Sequence, residues 1–197
     1  MLDCQVSMLN YMATMHFLSG ENPSPIGNAH FVHVPYNSYP TTDGHIIIAV
    51  IFDSFWLNLL NVIDYEPFRD EKYLTQPGRL ADKVLIDSKL TEIFSTNTSE
   101  FWLAQLQEQR IPSARINVLS EALADEQVLS RNMVVDLYHP NGKHTKGPGN
   151  PIKLSRNCEE SFSPAPLLGE HTQNVLSDLL GYPDEHIDAL RAKGAIL

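Results

Sequence analysis

Cysteine is scarce in this sequence: the 197 residues include two, Cys4 and Cys158. That excludes a disulfide scaffold and fits a reducing compartment. Basic residues are also in deficit, 14 Lys plus Arg against 24 Asp plus Glu, for a formal net charge of -10. They are mostly scattered and form no dense patch. Such a chain repels a phosphate backbone, so no nucleic-acid partner is expected. The longest apolar run, Ile46 to Phe52, falls far short of the ~20 residues that cross a bilayer, and no membrane partner is expected either. The first 20 residues hold no Lys or Arg, so no signal or transit peptide is visible and a cytoplasmic location is expected.

The motif inventory is as sparse. There is no G-x-S-x-G, which excludes an α/β-hydrolase nucleophile elbow, and no Walker A sequence. Gly147-Pro148-Gly149 lacks the third, helix-opening glycine of a dinucleotide fingerprint. Eight histidines are present, but His30 and His33 have no regularly spaced third ligand, so no metal site is expected.

What the sequence does hold is a normal globular complement of apolar residues, 43%, enough for one domain or two small ones. Residues 1–19 read as a helix, with Leu2, Val6, Leu9, Met12, Ala13, His16 and Phe17 at helical spacing. Four of the five methionines, Met1, Met8, Met12 and Met15, lie here. They suit either an adaptable ligand-lining surface or a face that packs on other helices. Residues 20–44 carry Gly20, Pro23, Pro25, Gly27, Pro35 and Pro40 and end in the turn Thr42-Asp43-Gly44. They read as irregular, a linker or a functional loop.

His45 to Ile51 is a β-branched run that reads as a buried strand. Asp53 or Ser54 can cap a following helix at 55–63. Further helices are expected at 79–94 and from Ser99, the latter capped by Thr98 or Ser99. Ile111 to Val118 reads as a strand, and Ser120 caps a short helix through Ala124. Met133 to Tyr138 reads as a strand whose turn, Pro140-Asn141-Gly142, leads to a partner. A short strand at 150–154, a polar connector at 156–168 and helices near 171–180 and 184–193 complete the chain, with Gly194 as a stop. One short sheet is expected to include 45–51 and 133–138. The fold class is therefore α+β, with a linker helix and loop at 1–34, a small α+β domain at 35–155 and a helical tail at 156–197.

Three places could carry chemistry. Asp3, in the first turn of the first helix, is either a nucleophile or base, or a carboxylate that complements the helix N-terminus. In Gly27-Asn28-Ala29-His30 the small residues let backbone N–H groups approach a ligand, and His30 can exchange a proton; the same residues also suit an exposed linker turn. Pro166-Leu167-Leu168-Gly169-Glu170-His171-Thr172 is either an anion site at a helix start or a plain helix cap.

Taken together, several segments resemble the class III CoA-transferases, the CaiB/BaiF group that includes formyl-CoA transferases and acyl-CoA racemases. They are Met1-Leu2-Asp3-Cys4-Gln5-Val6; Gly27-Asn28-Ala29-His30 with Val34-Pro35-Tyr36 and Thr42-Asp43-Gly44-His45; Ala122-Leu123-Ala124-Asp125 with Gln127-Val128 and Met133-Val134-Val135; and Pro151-Ile152-Lys153-Leu154-Ser155 with the Pro166 to Thr172 motif. The resemblance covers essentially the whole chain but only part of the family, whose Rossmann-like first half is not in this sequence. It implies a small mixed domain flanked by a linker helix and a C-terminal helical return segment. It further implies that Asp3 is the nucleophile that attacks an acyl-CoA, passing through a mixed anhydride to an enzyme–CoA thioester. Gly27, Asn28, Ala29, His30 and Phe31 would close over the acylated aspartate, with Asp53 and Ser54 at the pocket rim. Coenzyme A thioester would be a substrate, with no permanently bound cofactor. An interlocked homodimer or the absent half would be the protein partner, and acyl-CoA and a carboxylic acid the small-molecule ones. A complementing subunit of a split enzyme, a racemase relative and a non-catalytic remnant are the other readings. Two departures, Ile51-Phe52 where the family has Gly-Asn and Ser113-Ala114-Arg115 where it has Cys-Gly-Pro or Ala-Gly-Pro, imply relaxed constraint near the acyl pocket.

Overall fold

In the computed structural model, which describes residues 1–156 and 161–197, Asn10 interrupts the helix expected over 1–19. Its φ of 50° and ψ of -131° leave the helical region and break the backbone hydrogen-bond ladder there. The result is two helices, α1 (Leu2–Met8) and α2 (Tyr11–Ser19). Gly20, at φ 73°, ends α2 by donating its N–H to the His16 carbonyl at 2.8 Å, the left-handed stop that glycine adopts without strain. Neither helix has a buried residue; Leu9 is 52% and Phe17 83% exposed. Cys158 and the start of the expected connector fall at 157–160, outside the described residues. The chain divides into two compact units, Met1–Ile116 and Asn117–Leu197.

The first unit is built on a three-stranded antiparallel sheet, β1 (Tyr36–Thr41), β2 (Gly44–Ala49) and β3 (Ser113–Arg115), in that spatial order. Strand β1 corrects the reading of 20–44 as wholly irregular. Its prolines hide it: Pro40 lies opposite His45 on an edge strand, where a missing N–H is tolerated. The register Tyr39↔Ile46 and Asn37↔Ile48 puts these four residues on one face, and Tyr39, Ile46 and Ile48 are fully buried. Onto this core pack α3 (Asp53–Ile63) through Trp56, Leu59 and Leu60, α5 (Lys83–Phe94) through Ile86, Leu90 and Phe94, and α6 (Ser99–Glu108) through Trp102 and Leu106. The Tyr39 hydroxyl donates to Asp87 of α5 at 2.5 Å, so the one polar end that the strand buries is satisfied.

Local chemistry sets the element ends. Thr98 caps α6 by accepting from the Phe101 N–H at 3.3 Å, as expected. Asp53 does not cap α3 and neither does Ser54: Asp53 is the first helical residue and no side chain caps the helix. The expected helix 79–94 is two, α4 (Gln76–Ala81) and α5, divided at Asp82, whose carboxylate accepts from Lys72 at 2.8 Å and from Tyr73 at 2.7 Å. A Cβ on Gly78 would lie 1.6 Å from the Lys72 carbonyl oxygen, so α4 reaches the preceding 3-10 turn (Glu71–Leu74) only because that side chain is absent.

The second unit contains α7 (Leu119–Ala124), α8 (Glu126–Ser130), the hairpin β4 (Val134–Tyr138) and β5 (His144–Pro148), α9 (Thr172–Asn174), which runs into a π-helical turn at Val175–Leu179, and α10 (Asp184–Ala192). Helix α7 begins one residue before Ser120, which therefore does not cap it. The hairpin at Asn141-Gly142 is present, but β4 pairs with β5 alone. The expectation that 45–51 and 133–138 share a sheet is not met, because both edges of β2 are taken by β1 and β3. No strand forms at 150–154; there the Asn150 side chain accepts the Ile152 N–H at 3.0 Å, a local turn that competes with strand pairing. Among the described residues no helix is long and apolar enough to cross a membrane.

The β1–β2 turn is clipped to α6 and β3 by one carboxylate. Asp43 accepts from the Ser99 N–H at 2.7 Å, the Ser99 hydroxyl at 2.9 Å and the Thr41 hydroxyl at 3.0 Å, and faces Arg115 at 3.3 Å. The Ser99 hydrogen bonds above all hold its carboxyl at about 2, below the ordinary 3.8. The folded state therefore binds that proton less readily than the unfolded chain does. The clip's contribution is complete above pH 3.8 and is lost as pH falls through 2. Acid unfolding followed by Trp56 and Trp102 fluorescence should show a shallower pH dependence between 4 and 2 in Asp43→Asn; an unchanged slope would mean that the clip does not couple to folding.

Candidate functional site

Each site residue proposed from sequence has a definite place in the first unit. Asp3 is in the first turn of α1 and exposed. It makes no hydrogen bond or ion pair with any described residue. Gly27 turns the chain at φ 67°, and the Asn28 side-chain amide donates to the Ser38 hydroxyl of β1 at 3.1 Å. Phe31 reaches back to α2, its ring 6.1 Å from that of Tyr11. Ser54 is exposed on the first turn of α3.

His30 is the most constrained of the set. Its ring stacks between Phe31, at 4.4 Å and 21°, and Tyr36, at 5.2 Å and 15°. Its Nδ1 accepts two backbone donors, the N–H groups of Val32 and His33, each at 3.0 Å. Its own N–H donates to the Tyr36 carbonyl at 2.9 Å. Partial burial, and then the neighbouring His33 ring 4.7 Å away, lower its pKa below 6.5.

Two residues that the sequence reading passed over hold the other side of this loop. Gln76 donates its amide to the Val32 carbonyl and accepts from the Val34 N–H at 3.5 Å. Arg79, whose side chain is fully buried, donates Nε to the Val34 carbonyl at 2.8 Å, Nη1 to the Tyr73 carbonyl at 2.8 Å, and Nη2 to Asp53 at 2.6 Å and Gln76 at 3.0 Å. Asp53, read from sequence as a pocket-rim residue, is thus the counter-ion of a buried arginine.

The N–H groups of His30, Val32 and His33 are spent within the segment, that of Val34 on Gln76, and that of Ala29 faces the Ile26 carbonyl across the turn at Gly27-Asn28, whereas those of Gly27, Asn28 and Phe31 have no acceptor among the described residues. The loop therefore presents three unspent donors next to a histidine locked by its neighbours. Among the described residues no cluster of His, Cys, Asp and Glu could hold a metal ion.

A sequence model of CoA-transferase family III matches residues 1–172, from Asp3 through the loop to Thr172. The chain belongs to that family. It is 34% identical over 184 residues to a succinate–glutarate CoA-transferase of Agrobacterium fabrum, covering 91% of this chain and 45% of the relative. It is 27% identical over all 197 residues to the human succinyl-CoA:glutarate CoA-transferase, again 45% of that protein. A crystal structure of a CaiB/BaiF family protein from Brucella suis superposes with a TM-score of 0.73 at 29% identity, over 90% of this chain and 46% of that one. The chain thus spans about half the length of these family III relatives. The small α+β domain expected from sequence is the one the family's fold provides.

The Arg79 arrangement makes a graded expectation. Arg79→Met would leave the Val34 and Tyr73 carbonyls without donors and should cost about 3–5 kcal/mol. Asp53 is 55% exposed, and Asp53→Asn keeps an accepting oxygen, so its cost should be about 1–2 kcal/mol. Urea unfolding monitored by tryptophan fluorescence measures both. Equal costs would show that the ion pair, not the carbonyl scaffold, is what the arginine stabilises.

Proposed function

We propose that this chain is the nucleophile-bearing C-terminal part of a class III CoA-transferase, which moves CoA between carboxylic acids. The observation that carries the reading is the family match through Asp3, a solvent-facing carboxylate in a first helical turn that pairs with no described residue, together with a loop whose N–H groups at Gly27, Asn28 and Phe31 are unspent among the described residues.

In this reading Asp3 attacks the thioester carbonyl carbon, the C–S bond breaks, and CoA leaves as a thiolate from a mixed anhydride. The thiolate attacks the Asp3 acyl carbon, expels the donor carboxylate and leaves an enzyme–CoA thioester. The acceptor carboxylate then runs the two steps in reverse. Each tetrahedral centre develops negative charge on oxygen, which the loop N–H groups are suited to receive. In this reading His30 and Phe31 belong to the loop that closes over the acylated Asp3, Asp53, held by Arg79, acts on that loop's shape, and Ser54 belongs to the rim. Residues 1–68 contain no Lys or Arg, and Arg79 has all its nitrogens engaged. We read the part of the family protein that this chain does not span, or an interlocked dimer partner, as completing the site that holds CoA.

The test uses succinyl-CoA as donor and glutarate as acceptor, with residues 1–197 alone and with the unmatched amino-terminal region of the Agrobacterium relative. The chain alone should be silent and the mixture active. In the active mixture Asp3→Ala should lose more than ~10³-fold in rate, over about 4 kcal/mol of barrier. Turnover by 1–197 alone would refute the dependence on a partner, and undiminished turnover of Asp3→Ala would refute the nucleophile. A mixture that exchanges the α-proton of acyl-CoA with solvent and transfers no CoA would replace the transferase reading with a racemase.

A further inference from the structure

We infer that His30 is a positioning residue: it is held as the neutral Nε2–H tautomer, and its Nδ1 staples the backbone of Val32 and His33, fixing the shape of the loop whose N–H groups at Gly27, Asn28 and Phe31 are unspent. The stapling stands on geometry, and its catalytic consequence rests on the transferase reading above.

Two backbone N–H groups point at one ring nitrogen, each at 3.0 Å. A nitrogen that accepts twice carries no proton, so in the neutral ring the proton is on Nε2. Nε2 itself makes no hydrogen bond with any described residue, and is the edge of the ring left to meet a ligand oxygen. The ring cannot swing to another contact without leaving the stack between Phe31 and Tyr36. The titratable and charged groups around it are His33 on the same loop, Tyr36 on β1, and Arg79 of α4, bound to the adjacent Val34 carbonyl. None of them is an acid that would favour a protonated ring, and burial lowers its pKa as well.

The chemistry points the same way. CoA transfer between carboxylates uses carboxylate and thiolate nucleophiles throughout, and carboxylate and thiolate leaving groups. No proton is gained or lost in any step, so a general base has nothing to do. A histidine at this loop is more useful as a fixed donor and a backbone acceptor than as a proton carrier. The loop also lacks other means of closing on itself: Val32 and His33 donate to no backbone carbonyl. Without Nδ1 these two N–H groups would need water or a rearranged loop.

The experiment separates the two ring nitrogens on the chain as it stands. Long-range ¹⁵N–¹H correlation on the 1–197 chain should show His30 with a bare Nδ1 and a protonated Nε2 near pH 7, titrating below 6.5. His30→Asn places a carbonyl oxygen where Nδ1 was, whereas His30→Gln places its amide where Nε2 was. Amide exchange at Val32 and His33 should stay within ~3-fold of the parent in His30→Asn and rise ~10-fold or more in His30→Gln. A protonated Nδ1 in the parent, or the same exchange in both variants, overturns the inference. None of these readouts needs turnover, so they stand or fall apart from Asp3→Ala in the active mixture.

Discussion

A single buried guanidinium organises the part of this chain that faces the site. Burying an arginine is costly unless its charge is paired and its donors are used, and Arg79 meets both conditions. Asp53 supplies the charge, and the carbonyls of Val34 and Tyr73 with the Gln76 amide oxygen accept three more of the five N–H donors, so that every nitrogen is engaged. Those partners come from the end of the candidate loop, the start of α3, a 3-10 turn and α4 itself. One side chain thereby ties together four segments whose apolar residues, Val34, Trp56 and Tyr73, meet in the same core. It also stands over the Trp56 ring at 5.4 Å, which ties the polar hub to the apolar core. Gly78 belongs to the same device, since a side chain there would push α4 away from the Lys72 carbonyl and move Arg79 with it.

Seen from the loop, this is an answer to a backbone problem. Residues 30–34 run between a helix and an edge strand without regular pairing, yet their polar groups must be satisfied. His30 serves the N–H groups of Val32 and His33 from one side, and Gln76 and Arg79 serve Val32 and Val34 from the other. Three side chains do for this segment what a neighbouring strand does for β2. Among the described residues, the N–H groups without an acceptor are those just before it, Gly27 and Asn28, and that of Phe31.

Much of the fold was legible in the sequence where apolar periodicity and turn residues agree. The run at 46–50, the Thr98 cap, the Asn141-Gly142 hairpin and the α+β class follow from local rules. What was not legible depends on tertiary partners. Strand β1 is hidden because Pro35 and Pro40 read as breakers, and only its edge position makes Pro40 harmless. The division of the first helix at Asn10, and of 79–94 at Asp82, turns on single residues whose backbone or side chain finds a better use than continuing the helix. Of the site, Asp3 and the Gly27 to Phe31 loop were visible through the resemblance of their motifs. Gln76 and Arg79 were not, because a Gln and an Arg at a helix start look like solvent-facing residues until the carbonyls they bind are brought to them from 45 residues away.

The charge distribution sharpens what such a loop is for. Every species in a carboxylate-to-carboxylate CoA exchange is anionic, and an anionic nucleophile must approach a centre that becomes more negative. A lysine or arginine beside Asp3 would stabilise the resting carboxylate as much as the transition state, and so would lower the nucleophile's energy without lowering the barrier. Neutral donors fixed in direction avoid this, because backbone N–H groups aimed at one oxygen act on charge that develops there and little on a carboxylate elsewhere. In the transferase reading proposed above, the absence of Lys and Arg from residues 1–68 and the engagement of every Arg79 nitrogen fit one arrangement, in which the field at the reacting oxygen would be left to oriented backbone dipoles.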